Sequence, residues 1–139
     1  MGLTYADITL ANSYDETAFK KGFVAEKDIK KMDVKALVDS GAYMLTIDTS
    51  IKTQLGLDVF ETMEVELADG TRQECEIAGP VILRFKNRRT SCDALVLPGA
   101  TEVLLGAIPL EGLDVLIDAK TQQLIVHPSR PYIAGTKVK

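Results

Sequence analysis

The sequence predicts an all-β fold, a small barrel or sandwich carrying one or two short helices. Three observations point there. Apolar and polar residues alternate with a period of two along most of the chain. Turn pairs such as Asp69-Gly70 and Pro98-Gly99 divide the alternating runs. Only two stretches suit a helix, and both are short. With 139 residues the chain suits one domain, long enough to bury roughly 65–70% of its unfolded surface. A single domain over 1–139 is expected, with an irregular tail from about 128.

Ala6, Ile8 and Leu10 alternate with Asp7 and Thr9 and predict the first strand. The polar stretch 11–33 reads as a loop or short hairpin. Val34 to Val38 predicts a strand that runs into Asp39, and Met44 to Ile47 predicts another just after a Ser-Gly turn. Asp48 and Ser50 are cap residues for a short helix, Ile51 to Leu55, which Gly56 can stop. Met63, Val65 and Leu67 alternate with acids, and Asp69-Gly70 signals a two-residue hairpin turn into a return strand, Arg72 to Ile77. Gly79-Pro80 is expected to break that strand. Val81, Leu83 and Phe85 then form a strand that pairs with Cys92 to Leu97 across a basic loop, Lys86 to Arg89. Leu104, Leu105 and Gly106 lead into a second short helix with Pro109 in its first turn, where a missing N–H costs nothing. Val115 to Ile117 and Leu124 to His127 close the chain as two strands around a turn.

Composition excludes several classes of function. Hydrophobic residues make up 46% and charged residues 26%, with a net charge of −4, so no basic face suits a nucleic acid. Cys75, Cys92 and the one histidine, His127, lack metal-ligand spacing, so no metal or other cofactor is expected. Pro109, Glu111, Gly112 and Asp114 interrupt the longest apolar stretch, so no membrane span is expected. With no leader-like N-terminus and two thiols, a cytoplasmic location is the expectation. His127 reads as a partly exposed strand-end residue and Cys75 as a half-buried thiol. The acids Glu61, Glu64, Glu66, Glu74 and Glu76 read as a solvated hairpin face.

Asp39 ends an apolar strand in "ALVDSGAYMLTI", residues 36–47. A carboxylate at such a place needs hydrogen bonds or a partner. An Asx turn through Ser40 and Gly41 would meet that need without any function.

The wider context resembles the retropepsins, the retroviral-type aspartic proteases. In them an apolar strand runs into Asp-Thr/Ser-Gly-Ala. "VLLGAIPL", residues 103–110, is similar to their second motif, two apolar residues and a glycine opening a late short helix. "VELADGTRQECEI", residues 65–77, lies where their glycine-containing flap hairpin lies. Order and spacing agree from about Thr4 to about His127, and the series looks closest to small bacterial single-domain members.

The resemblance implies a closed retropepsin-type barrel, a polypeptide substrate and a role for each motif. Asp39 would be the catalytic carboxylate. Ser40 would bond across to a partner chain, keeping the hydroxyl of the commoner threonine, and Gly41 and Ala42 would lend backbone groups. Ala68, Asp69, Gly70 and Thr71 would form the flap tip over the substrate. Leu104, Leu105 and Gly106 would support the Asp39 loop from behind. Such enzymes use two carboxylates that share one proton. This chain has one Asp-Ser-Gly, because Asp48-Thr49-Ser50 lacks the glycine and suits a helix cap. The implied active form is therefore a two-fold homodimer. A non-catalytic relative that binds an extended peptide by strand addition is the alternative.

Overall fold

The computed structural model describes residues 2–132. Strand β1 (Tyr5–Asn12) turns Ala6, Ile8 and Leu10 inward, as a period of two requires. It lies between two antiparallel neighbours. Leu10 faces Met32 of β2 (Lys31–Val38) on one side and Leu83 of β5 (Arg72–Phe85) on the other. The ring continues from β2 through β7 (Val103–Leu105), β3 (Leu45–Ile47) and β6 (Arg88–Val96) back to β5. Six strands thus close a barrel, as the resemblance implies. Leu10, Leu45, Ile47, Leu83, Leu105 and Leu113 are among its fully buried side chains. Among the described residues β4 (Asp58–Glu66) pairs only with β5, as an edge strand, while β8 (Val115–Asp118) and β9 (Gln123–Val126) form a separate two-stranded sheet.

Stretch 11–33 differs from the expected loop or hairpin. It holds helix α1 (Ser13–Lys20), a 3-10 turn at Glu26–Asp28 and the first residues of β2. Asn12 caps α1 by accepting from the Asp15 amide at 3.2 Å. Its own amide donates to the Leu55 and Gly56 carbonyls at 2.9 and 3.1 Å, which ties α1 to the end of α2 (Thr49–Leu55). No residue of α1 is buried, so no apolar stripe marks it in the sequence. Helix α2 matches the expectation more closely: Asp48 accepts from the Ile51 amide at 2.8 Å, and Gly56 ends the helix at φ 61°.

Three further expectations need correction. Gly79-Pro80 does not break β5. The strand runs through it with a register shift, because β5 trades its partner β4 for β1 while β6 stays alongside. The Asp69-Gly70 turn is a three-residue loop, in which Leu67 N–H donates to Thr71 O at 2.7 Å and Gly70 takes φ 86°. The basic loop contains only Lys86 and Asn87. β6 begins at Arg88, and its alternation puts that side chain on the inner face with Thr90, Ala94 and Val96. Arg88 is 2% exposed.

The second predicted helix is α3 (Ala107–Leu113), with Pro109 in its first turn. The tail expected to be irregular contains a turn at 128–132; residues 133–139 lie outside the described residues. No helix among the described residues is long and apolar enough to cross a membrane.

Candidate active site

Asp39 follows the last residue of β2, and its position comes from β7. β2 and β3 are not paired with each other. β7 lies between them, parallel to β2 (Val38 opposite Leu105) and antiparallel to β3 (Leu45 opposite Leu105). Residues 39–44 must therefore arch over the end of β7. The Asp39 amide donates to the Leu105 carbonyl at 3.0 Å, which extends the β2–β7 pairing by one residue into the loop.

Within the arch the chain turns tightly. The Ala42 amide donates to the Asp39 carbonyl at 3.1 Å, and the Gly41 amide donates to Asp39 Oδ1 at 3.0 Å. This is the Asx turn that the sequence suggested. It satisfies one carboxylate oxygen and fixes the side chain's direction. Asp39 is half-buried, whereas Ser40 and Gly41 are exposed. Ser40 makes no side-chain hydrogen bond among the described residues, so its hydroxyl is available outward. An added Cβ on Gly41 would lie 3.2 Å from Asp39 Oδ1. A side chain there would press on the carboxylate by a few tenths of an ångström, while the backbone is not left-handed.

Leu105 and Gly106 adjoin the arch directly, and Leu104 lies between β2 and β3 in the sheet. Leu105 is fully buried and Leu104 pairs with Thr46. Gly106 caps α3, and an added Cβ would lie 2.5 Å from the Met44 carbonyl oxygen and 2.8 Å from that of Ala42. Two groups escaped the sequence reading. The amides of Ala107 and Ile108, the first two residues of α3, donate at 2.8 Å to the carbonyls of Ala42 and Tyr43. Free N–H groups at a helix start need acceptors, and the arch supplies them. A helix-opening glycine after an apolar pair was the only signal for this clamp.

The hairpin tip expected to act as a flap projects into solvent. Ala68, Asp69, Gly70 and Thr71 are all exposed at the end of β4–β5, and no hydrogen bond joins them to the Asp39 arch among the described residues. Their bonds are internal. Thr71 donates to Asp69 Oδ1 from its hydroxyl at 2.6 Å and from its amide at 2.9 Å. The hydroxyl first, and then the amide, hold the Asp69 carboxyl below its ordinary range. At the hairpin's base Lys52 of α2 bonds Glu76 at 2.7 Å. Along the hairpin Glu64, Glu66, Glu74 and Glu76 share one face, while Glu61, expected with them, lies on the other with Met63, Val65, Cys75 and Ile77.

The remaining candidates offer no competing chemistry. Burial pushes the Cys75 thiol up. Burial, and then the Asp93 carboxylate, push Cys92 up to about 12, far from a reactive thiolate. His127 is half-buried at the end of β9, and its Nδ1 accepts from the Ser129 amide at 3.2 Å. No group of His, Cys, Asp and Glu side chains able to hold a metal occurs among the described residues. What the arch offers is one oriented, solvent-facing carboxylate on a rigid support, suited to taking or giving a proton.

The family described as "gag-polyprotein putative aspartyl protease" matches residues 25–111, more than half of the chain. Among solved structures, the retroviral protease-like domain of Ddi1 from Leishmania major is similar, with a TM-score of 0.57 and 19% identity over 92% of this chain and 90% of that one. At that identity the likeness concerns the fold. No curated protein matches the chain in sequence.

Proposed function

The chain belongs to the retropepsin-like aspartyl proteases, and from that premise we propose that it is an endopeptidase working as a two-fold homodimer. The observation that carries this reading is the Asp39 arch: one half-buried carboxylate, fixed by the Gly41 amide, with a hydroxyl beside it that is unbonded among the described residues and hydrogen-bonded backbone behind it. One such arch per chain supplies half of a dyad.

In the dimer the two Asp39 side chains meet at the axis and share one proton, since like charges at that distance cannot both ionise. The ionised carboxylate takes a proton from a water, which attacks the peptide carbonyl. The protonated one gives its proton to the carbonyl oxygen. Collapse of the tetrahedral intermediate returns a proton to the leaving nitrogen and breaks the C–N bond. Ser40, unbonded among the described residues, bonds across to the partner's backbone and holds the dyad together. The β4–β5 hairpin serves as the flap, with residues 68–71 over the bound polypeptide.

A second reading has its own support. Among the described residues β4 has a single hydrogen-bonded neighbour, so its outer edge is available to an added strand. A non-catalytic relative could hold an extended peptide there. Incubation with a diverse peptide library between pH 4 and 8, read by mass spectrometry, separates the two. Cleavage by the wild type that vanishes in Asp39→Asn supports the enzyme. Peptide binding without any cleavage supports the alternative.

A further inference from the structure

The chain past β9 returns to the far end of α3. Asp114, the left-handed cap of α3 (φ 55°), receives a bidentate pair from Arg130, with Nε to Oδ2 at 2.6 Å and Nη2 to Oδ1 at 2.8 Å. The Arg130 amide in turn donates to the His127 carbonyl at 2.9 Å, closing a turn over residues 127–130. Two side chains of the β5–β6 hairpin hold this segment from the other side. Asn87 Nδ2 donates to the Pro131 carbonyl at 2.7 Å, and Arg88 Nη2 donates to the Arg130 carbonyl.

Arg88 is an unusual choice for that contact. It is 2% exposed, and its Nε and Nη1 find no acceptor among the described residues. A buried guanidinium with two idle donors is a poor stabiliser, and an apolar side chain of similar length would hold the barrel as well or better. Its clear product is the grip on Arg130.

Helix α3 transmits that grip. It has seven residues, about 10 Å of helix, too short to hold its place alone. Its first two amides are the clamp on the Asp39 arch, its last turn lies hard against β6 (an added Cβ on Gly112 would lie 2.2 Å from Thr90 Oγ1), and its last residue meets Asp114. We propose that residues 127–131 form a C-terminal strap that sets the position of α3 and, through it, of the Asp39 arch, with Arg88 and Arg130 as positioning residues. The inference rests on the arch being the working site.

Amide hydrogen exchange on the full chain tests it, comparing wild type with Arg130→Met and Arg88→Met. The amides of Ala42, Ala107 and Ile108 are expected to exchange about tenfold faster in both variants, while Leu10 and Leu83 in the barrel keep their wild-type rates. With a peptide substrate, kcat falls about tenfold and KM stays within about twofold. Arg88→Met is expected to match or exceed the wild type in urea, so a folding failure of Arg130→Met leaves a second variant to judge by. The inference is overturned if Ser129 and Arg130 are freed while Ala42, Ala107 and Ile108 exchange as in wild type. It is equally overturned if every barrel amide accelerates in step, which would mark a general loss of stability. Exchange is read without substrate, so it judges the strap whether or not the wild type cleaves.

Discussion

Replacing Gly106 with alanine isolates the support of the Asp39 arch from all other effects. Gly106 sits at φ −87° and ψ −174°, a backbone open to any residue, so alanine brings no conformational strain. The cost is steric. The new methyl would stand 2.5 Å from the Met44 carbonyl oxygen, about 0.9 Å inside ordinary contact, and 2.8 Å from the Ala42 oxygen. Both atoms are backbone of the arch, so no side chain can swing aside. Overpacking of this kind costs about 1–3 kcal/mol. Moving the arch outward also stretches the 2.8 Å bonds from Ala107 and Ile108, and each lost bond adds about 1 kcal/mol. A total of about 2–5 kcal/mol follows, which leaves a typical domain folded but weakened. An arch displaced by nearly 1 Å should lose roughly a hundredfold in kcat. Urea denaturation gives the first quantity and peptide cleavage the second. Gly106→Ala within about 0.5 kcal/mol of wild type, with full activity, would refute the proposed support.

Other substitutions probe separate parts of the account. Asp39→Asn keeps an oxygen for the Gly41 amide, so stability should hold while kcat falls at least about a thousandfold; a melting curve and a cleavage assay on one preparation check both. The cleavage rate should be bell-shaped in pH with its maximum on the acid side, because one dyad proton must stay; a rate climbing steadily to pH 9 would contradict a shared proton. Arg84 bonds Glu16 at 2.6 and 2.8 Å and holds its carboxyl below the ordinary 4.5. A lowered folded pKa means the contribution is present above the unfolded value and lost as pH falls through the folded one. Glu16→Gln should therefore cost about 1 kcal/mol at pH 7 and nothing once the wild-type carboxyl is protonated, as urea midpoints at the two pH values would show. Asp48→Ala removes the N-cap of α2 and should cost about 1 kcal/mol in the same assay.

The motif at Asp39 was legible because its physics is local: an apolar strand, a short polar turn and a second strand. Period two located β1, the second half of β4 and most of β5 and β6 for the same reason. Helix α1 was missed because it buries nothing, so its cap Asn12 and its charge order were the only signals. Arg88 has the residue type of a solvated loop, yet counting back from Ala94 by twos puts it inside. The passage of β7 between β2 and β3, and the closeness of Gly106 to the arch, depend on residues some sixty positions apart, and no local pattern carries such contacts. The strap was hidden for a related reason, since Arg130 and Asp114 meet only once β8 and β9 fold back.

Subunit mixing tests the central proposal most directly. Wild type and Asp39→Asn are refolded together at fixed total protein and varied ratio, and peptide cleavage is measured. If each active site needs Asp39 from both chains, mixed dimers are dead and activity follows the square of the wild-type fraction, about a quarter at equal parts. Activity that falls in proportion, to about one half at equal parts, would mean that each chain works alone and would contradict the shared dyad.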